Sequence, residues 1–196
     1  PGQNIYQTTW QISRPVIAET PVNLKPAAPY PVNLTNNLPP ALTSQAILVM
    51  DMPSSVVIYE KNPNQRLFPA SITKVMTALV ALDFYSQNSE SQRADSQKSS
   101  AYQMNQLLEV KTSITEGKVM RLTLGEKMTF ENLLYAALVD SANDAAYTIA
   151  ENFPGGVEKF VEKMNQKAKE ISMNDTNFTN PIGFEDDNHY SSVLDL

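Results

Sequence analysis

The sequence predicts a mixed fold of helices and antiparallel strands, α/β of the α+β type. Two apolar runs, residues 46–50 and 56–59, flank the Met-Pro-Ser-Ser turn at 52–55 in the pattern of a β-hairpin. Apolar residues recur at helical spacing after Ser71, and residues 157–171 form a strongly amphipathic helical pattern. With 196 residues, 42% of them hydrophobic, the chain can bury a core.

The first 44 residues are predicted to be an extended linker. Eight of the thirteen prolines lie in the first forty positions, where apolar clusters are few. Residues 21–24 (PVNL) recur as residues 31–34, in sequence that favours a polyproline-like conformation. We therefore divide the chain into a proline-rich linker, residues 1–44, and a domain, residues 45–196.

Composition disfavours several classes of function. The net charge of -6 argues against nucleic-acid binding, which normally requires a basic face. No stretch is long and apolar enough to span a bilayer. With no cysteine and a single histidine, His189, the chain is poorly equipped for a thiolate or histidine-based metal site or a Ser-His-Asp triad. We expect no metal, no cofactor and no nucleic-acid partner, and a lysine is the better base for any serine chemistry.

Ser71 and Lys74 have the spacing of a nucleophile and its base. Residues three apart on a helix project from one face, so the Lys74 amine can reach the Ser71 hydroxyl. A serine attacks a carbonyl only when a base takes its proton, and burial would lower the pKa of the lysine toward that role. The alternative is an ordinary N-cap serine beside a solvated lysine. The helix is predicted to lie in the core through Ile72, Val75, Met76, Leu79 and Leu82.

A second polar motif, Ser141-Ala142-Asn143, lies where two predicted helices meet. Thr129 is a plausible N-cap for the first helix, and the second is predicted to reach about Phe153. Short polar side chains at such a corner can be held rigidly beside a cleft. The alternative is that Ser141 and Asn143 merely cap the second helix.

Other polar segments are given no catalytic role. Residues 85–103, rich in serine, glutamine and charge, predict an exposed or mobile insertion. Lys111-Thr112-Ser113 is interpreted as an ordinary strand or turn. The acidic run at 185–187 is interpreted as a solvated loop, and His189 as a loop residue without a catalytic role.

Four stretches, in order, resemble the D-alanyl-D-alanine carboxypeptidases, which are low-molecular-mass penicillin-binding proteins of the serine peptidase S11 type. They are residues 69–79 (PASITKVMTAL), 141–146 (SANDAA), 164–168 (MNQKA) and 176–183 (TNFTNPIG). The resemblance covers roughly residues 45–196. It implies a β-lactamase/transpeptidase-like fold, in which a helical region carrying the Ser-x-x-Lys and Ser-x-Asn motifs packs on an antiparallel sheet.

The resemblance also implies an activity, which is the trimming of the terminal D-Ala from peptidoglycan stem peptides that end in D-Ala-D-Ala. Ser71 would be the nucleophile and Lys74 its general base. Ser141 would relay a proton to the leaving amine, and Asn143 would orient Lys74 and the substrate amide. β-Lactam antibiotics would acylate the same serine. An exported protein at the periplasmic or extracellular face is implied, and a membrane anchor outside this chain is left open.

One departure from the family affects the expected site. No Lys-Thr-Gly motif follows Ser141, although in the family its strand supplies a cation for the substrate carboxylate, an oxyanion N–H and the centre of the sheet. We therefore expect an N-terminal portion with an incomplete sheet, inactive alone. Two alternatives stay open, which are a class A-like β-lactamase and a truncated, non-catalytic peptidoglycan-binding module.

Overall fold

The computed structural model describes Pro31, residues 39–90 and residues 104–196. Helices and small antiparallel sheets are both present, in agreement with the predicted α+β class. In chain order the elements are β1 (Ile47–Asp51), β2 (Val56–Lys61), a 3₁₀ turn (Ala70–Ile72), α1 (Thr73–Glu90), β3 (Leu107–Glu109), β4 (Lys127–Thr129), α2 (Phe130–Val139), α3 (Asn143–Glu151) and α4 (Gly156–Glu170).

The predicted hairpin is β1 and β2, which form a two-stranded sheet. In its turn the Asp51 carboxylate accepts from the backbone N–H of Ser54 at 3.0 Å. The chain divides into two compact units, with Val49–Ile58 in one and Ala41–Leu48 with Tyr59–Leu196 in the other. The predicted linker lies almost wholly outside the described residues and stays a prediction.

In the second unit the helices pack around α3, which contacts α1, α2, α4 and β3. Small residues on α3 permit this close approach, since Ala145, Ala146 and Ala150 have no exposed surface. Thr129 is the N-cap of α2, as predicted, because its side chain accepts from the N–H of Asn132 at 3.2 Å. Larger core side chains come from the surrounding helices and include Met76, Leu133, Phe160 and Met164.

Strand β4 was not predicted, and it pairs antiparallel with β3, with Leu108 opposite Met128. Three residues carry too short an apolar pattern to be recognised from sequence. Beyond β4 the chain enters α2 directly, so this small sheet fixes where α2 begins.

The orientation predicted for α1 is wrong for most of its apolar positions. Val75 is 60% exposed and Ile72 51%, whereas Lys74, Thr73 and Thr77 are buried. The buried face of α1 combines Thr73, Lys74 and Thr77 with Met76 and Val80, so apolar residues alone do not mark it. The helix also continues to Glu90, into the predicted insertion, while residues 91–103 lie outside the described structure. The predicted core positions that are exposed are Ile72, Val75, Leu79 and Leu82.

Candidate active site

Ser71 lies in the short turn that precedes α1, called here the Ser71 turn (residues 69–73). The N–H of Ile72 donates to Pro69 O at 3.2 Å, and Ala70 has a φ of 47°. Left-handed backbone is unfavourable for a residue with a Cβ, by roughly 1–2 kcal/mol, and persists only where its surroundings hold it. The turn leaves Ser71 exposed at the N-terminal end of the helix.

Lys74 connects the two serines that sequence analysis selected. Its Nζ lies 3.1 Å from Ser71 Oγ and 3.2 Å from Ser141 Oγ. The residue is only 2% exposed, so the solvated-lysine alternative is wrong. Burial lowers the pKa of the Lys74 amine from its ordinary value of 10.5, because desolvation disfavours the charged form. Within the described residues no carboxylate forms an ion pair with Lys74.

Ser141 reaches Lys74 from the corner between α2 and α3, called here the Ser141 corner (residues 140–143). Helix α2 ends at Val139, and Ser141 has a φ of 57°, which turns the chain sharply before α3 begins. The N-cap of α3 is Ala142, which makes no side-chain capping hydrogen bond. The capping alternative for Ser141 and Asn143 is therefore wrong.

Asn143 is tied to a neighbouring loop. Its amide nitrogen donates to Glu116 O at 2.9 Å, and its backbone N–H donates to Lys118 O at 2.7 Å. Gly117 lies between these carbonyls with a φ of 69°, and a Cβ there would come 2.5 Å from the Asn143 amide nitrogen. No hydrogen bond links Asn143 to Lys74 in the part of the chain that is described. The predicted substrate contact of Asn143 stays a prediction.

Comparison with known proteins identifies the family. The profile of peptidase S11, D-alanyl-D-alanine carboxypeptidase, matches residues 33–196. The chain belongs to this D-alanyl-D-alanine carboxypeptidase family. The rival assignment to class A β-lactamases is not supported by this match.

Individual members of the carboxypeptidase family resemble the chain over most of its length. D-alanyl-D-alanine carboxypeptidase DacF of Bacillus subtilis is 33% identical over 78% of the chain and 37% of its own length. The D-alanyl-D-alanine endopeptidase of Escherichia coli is 33% identical over 80% of the chain and 46% of its own length. The structure of penicillin binding protein 5 from Haemophilus influenzae superposes with a TM-score of 0.69 at 31% identity, over 81% of the chain and 44% of that protein. The chain therefore spans less than half the length of these family members.

A buried aspartate, missed by sequence analysis, stabilises the Ser141 corner. The Asp144 carboxylate, on a residue that is 1% exposed, accepts from the N–H groups of Met120 and Leu122 at 3.0 Å each. It thereby fixes the loop that carries the acceptors for Asn143. The sequence signal was an acidic residue in the first turn of a helix, which normally indicates only a favourable interaction with the helix dipole.

The segment formed by residues 176–191 supports the Ser71 turn. Thr73 Oγ1 is 2.8 Å from His189 Nε2, and Thr77 Oγ1 donates to Pro181 O at 2.6 Å. His189 is 1% exposed, so it is a buried residue of the segment. Burial lowers the pKa of its imidazole from 6.5, and the Asp186 carboxylate partly opposes that effect. No sequence pattern assigned this contact, because the two residues are 116 positions apart.

The remaining sequence candidates lie outside these contacts. Lys111 follows β3, where its N–H donates to a carboxylate oxygen of Glu151 at 2.8 Å and its Nζ donates to Glu151 O at 3.2 Å. The acidic run at 185–187 is exposed, as predicted. Within residues 39–90 and 104–196 there is no cluster of three or more acidic or histidine side chains suited to a metal ion. In the same part of the chain no helix is long and apolar enough to cross a membrane.

Proposed function

We propose that the full-length protein is a serine-type D-Ala-D-Ala carboxypeptidase, which removes the terminal D-Ala of peptidoglycan stem peptides through an acyl-serine intermediate. One observation carries the proposal. Lys74 is a buried amine with a lowered pKa, and it lies within hydrogen-bond distance of the hydroxyls of both Ser71 and Ser141. Membership of the S11 family supports the same reaction.

The two short contacts of Lys74 provide a route for the proton transfers of acyl transfer. Neutral Lys74 takes the proton of Ser71 as Oγ forms a bond to the carbonyl carbon of the penultimate D-Ala. The C–N bond then breaks, and the leaving amine receives a proton from Lys74 by way of the Ser141 hydroxyl. In the deacylation step, water attacks the acyl-serine ester. It gives one proton to Lys74 and hydroxide to the acyl carbon. Ser71 recovers its hydroxyl hydrogen, and the shortened peptide leaves.

The partners and location follow from this chemistry. A β-lactam presents a strained amide to the same serine, and a penicillin binding protein is among the solved structures that the chain resembles. A substrate in the cell wall requires an exported enzyme at the periplasmic or extracellular face. Asn143 would contact the substrate amide at the rim of the site. The Lys-Thr-Gly element that would bind the substrate carboxylate is not found after Ser141 in these residues, so we expect residues 1–196 alone to be inactive.

Covalent labelling tests the proposal directly. The full-length protein is incubated with a fluorescent penicillin, and release of D-Ala from a pentapeptide ending in D-Ala-D-Ala is measured. Ser71→Ala should abolish both signals, and Lys74→Met should reduce acylation by roughly 10³-fold or more, because the base is lost. Two matched controls, Ser113→Ala and Lys111→Met, change exposed residues of the same types and should leave both signals unchanged.

Other outcomes would contradict the assignment. A label that survives Ser71→Ala would identify a different nucleophile. Absence of any label, together with no D-Ala release, would favour a non-catalytic peptidoglycan-binding protein. Rapid turnover of a chromogenic cephalosporin would favour a β-lactamase.

A further inference from the structure

We propose that His189 is a positioning residue for the Ser71 nucleophile, acting through Thr73 as a neutral imidazole, with Gly183 permitting the close contact that the arrangement requires. This inference rests on the proposed acyl-serine chemistry. It gives a role in the reaction to a histidine that makes no hydrogen bond to Lys74 or to either serine hydroxyl, within the contacts described.

The hydrogen bonds around His189 determine which ring nitrogen carries the proton. The backbone N–H of Thr179 donates to Nδ1 at 3.0 Å, so Nδ1 must present its lone pair. The proton of the neutral ring is then on Nε2, which donates to Thr73 Oγ1 at 2.8 Å. The Asn180 amide nitrogen, 3.4 Å from Nδ1, is a second donor on the same side. An imidazolium would place an N–H against these donors, so the site selects the neutral form.

Thr73 transmits this contact to the Ser71 turn. Its backbone N–H donates to Ala70 O and Ser71 O, so the same residue closes the turn and begins α1. Its side chain is 1% exposed and is held by His189. Fixing Thr73 therefore fixes the backbone on both sides of Ser71, between strained Ala70 and Lys74.

Gly183 lies against the other end of the turn. A Cβ on Gly183 would be 1.9 Å from Ala70 O and 3.1 Å from Thr73 Oγ1, so only glycine allows the segment to approach. Asn180 shapes this approach, because its Oδ1 accepts from the N–H groups of Gly183 at 2.7 Å and Phe184 at 3.0 Å. The left-handed Ala70 is thus packed against backbone that cannot move without breaking these bonds.

The support that His189 and Gly183 give to the Ser71 turn should affect the acylation rate, because that rate depends on the distance between Lys74 and Ser71. The 3.1 Å contact must hold while the serine proton moves, and misplacement of a reacting group by 1 Å can cost about 10²-fold in rate. Loss of the His189 contact releases Thr73 but leaves the Ser141 corner in place. The expected defect is in the acylation step and not in the binding of the acylating ligand.

The first experiment measures acylation of the full-length protein by a fluorescent penicillin as a function of its concentration. His189→Leu should lower the maximal acylation rate by about 10- to 100-fold with little change in the half-saturating concentration. His189→Gln should recover most of the rate, because its amide supplies one donor for Thr73 and one acceptor for Thr179. Thr73→Ser should be active, whereas Thr73→Val should resemble His189→Leu.

A matched control separates positioning from folding. Thr176 lies in the same segment, where its hydroxyl is 2.8 Å from Ser191 Oγ and donates to the Asp195 carboxylate just beyond the segment at 2.7 Å. Among the described residues no hydrogen bond links Thr176 to the Ser71 turn. Thr176→Val should lower the melting temperature without slowing acylation. If His189→Leu and Thr176→Val slow acylation in proportion to their loss of stability, or if His189→Leu acylates at the wild-type rate, the positioning proposal is wrong. An unlabelled wild-type protein would instead overturn the proposed function and, with it, this inference.

A second measurement does not depend on activity. Nitrogen-15 NMR of the imidazole, assigned by its loss in His189→Gln, should show a neutral ring protonated on Nε2 at pH 7. A ring protonated on Nδ1, or a doubly protonated ring at that pH, would contradict the geometry on which the inference stands.

Discussion

The Ser71 turn and the Ser141 corner each hold a serine beside Lys74, but different chemical groups stabilise the two segments. Each places a non-glycine residue in left-handed backbone, Ala70 at 47° and Ser141 at 57°, and each brings a serine to Lys74. The turn is supported by neutral groups, namely an imidazole, a hydroxyl and the backbone of Gly183. The corner is supported by a buried carboxylate on Asp144. The two serines should therefore respond to different substitutions.

The largest expected effect is that of Gly183→Ala. Its methyl would overlap the Ala70 carbonyl, and its φ of 84° is itself unfavourable for alanine, so we expect a loss of about 3 kcal/mol or more in the free energy of unfolding. Gly125→Ala is the matched control, since Gly125 has a φ of 79° with nothing within 4 Å of the added Cβ. That control should lose only about 1–2 kcal/mol in denaturant titrations. Equal losses would show that packing on the Ser71 turn is not responsible.

The next effect concerns the corner. Asp144→Ala removes the acceptor of the backbone N–H groups of Met120, which is partly buried, and Leu122, which is buried. We expect a loss of about 2–3 kcal/mol, because hydrogen bonds to a charged group are left unmade. Glu126→Ala is the control, as that carboxylate accepts from the N–H and hydroxyl of Thr123 at an exposed position. Chemical denaturation should find its loss to be smaller than about 1 kcal/mol. A comparable loss of stability in Asp144→Ala and Glu126→Ala would show that the Asp144 carboxylate does not specifically stabilise the Ser141 corner.

A smaller effect is expected from Thr77→Val, which deletes the hydrogen bond to Pro181 O. The free energy of unfolding should fall by about 1 kcal/mol, and by more if no water replaces the lost donor at the Pro181 carbonyl. Thr148→Val makes the same change at a buried hydroxyl that has no partner within the described residues, so that variant should be neutral or stabilising. Thermal unfolding of the pair gives the comparison, and a reversed order would contradict the support assigned to the 176–191 segment.

The smallest effect is a pH dependence of stability. The folded pKa of His189 is lowered, so the unfolded chain takes up a proton near pH 6.5 that the folded chain does not bind. The free energy of unfolding should therefore fall as pH drops below about 6.5, by at most about 1.4 kcal/mol per pH unit, until the folded pKa is reached. Of the charged groups described, Asp186 acts on His189 and reduces this decline. His189→Gln should abolish this component, and an unchanged pH profile in that variant would exclude His189 as its source.

Local features were predicted well from the sequence. Helical spacing correctly placed the Lys74 amine beside the Ser71 hydroxyl, and turn residues correctly predicted the hairpin of β1 and β2. The Ser141 corner was predicted because two helical patterns met at a polar motif. These features depend on neighbours in sequence, which periodicity and turn chemistry describe.

The supports of the site were not predicted, because they depend on distant pairs. Thr73 and His189 are 116 positions apart, and a buried histidine in a polar loop has no sequence signature. The burial of Lys74 and Thr77 in place of Val75 was also missed. Hydrophobic spacing identifies apolar positions but cannot show that polar residues such as Lys74 and Thr77 share the buried face with Met76 and Val80.

The separation between Ser71 and His189 has a consequence for biosynthesis. A ribosome makes the Ser71 turn well before the 176–191 segment that supports it, and chains fold as they emerge. Helix α1 can form early from local contacts, but the geometry of Ser71 is complete only when the later segment has returned to it. Ser71 is thus synthesised more than a hundred residues before His189, on which the final geometry of its turn depends.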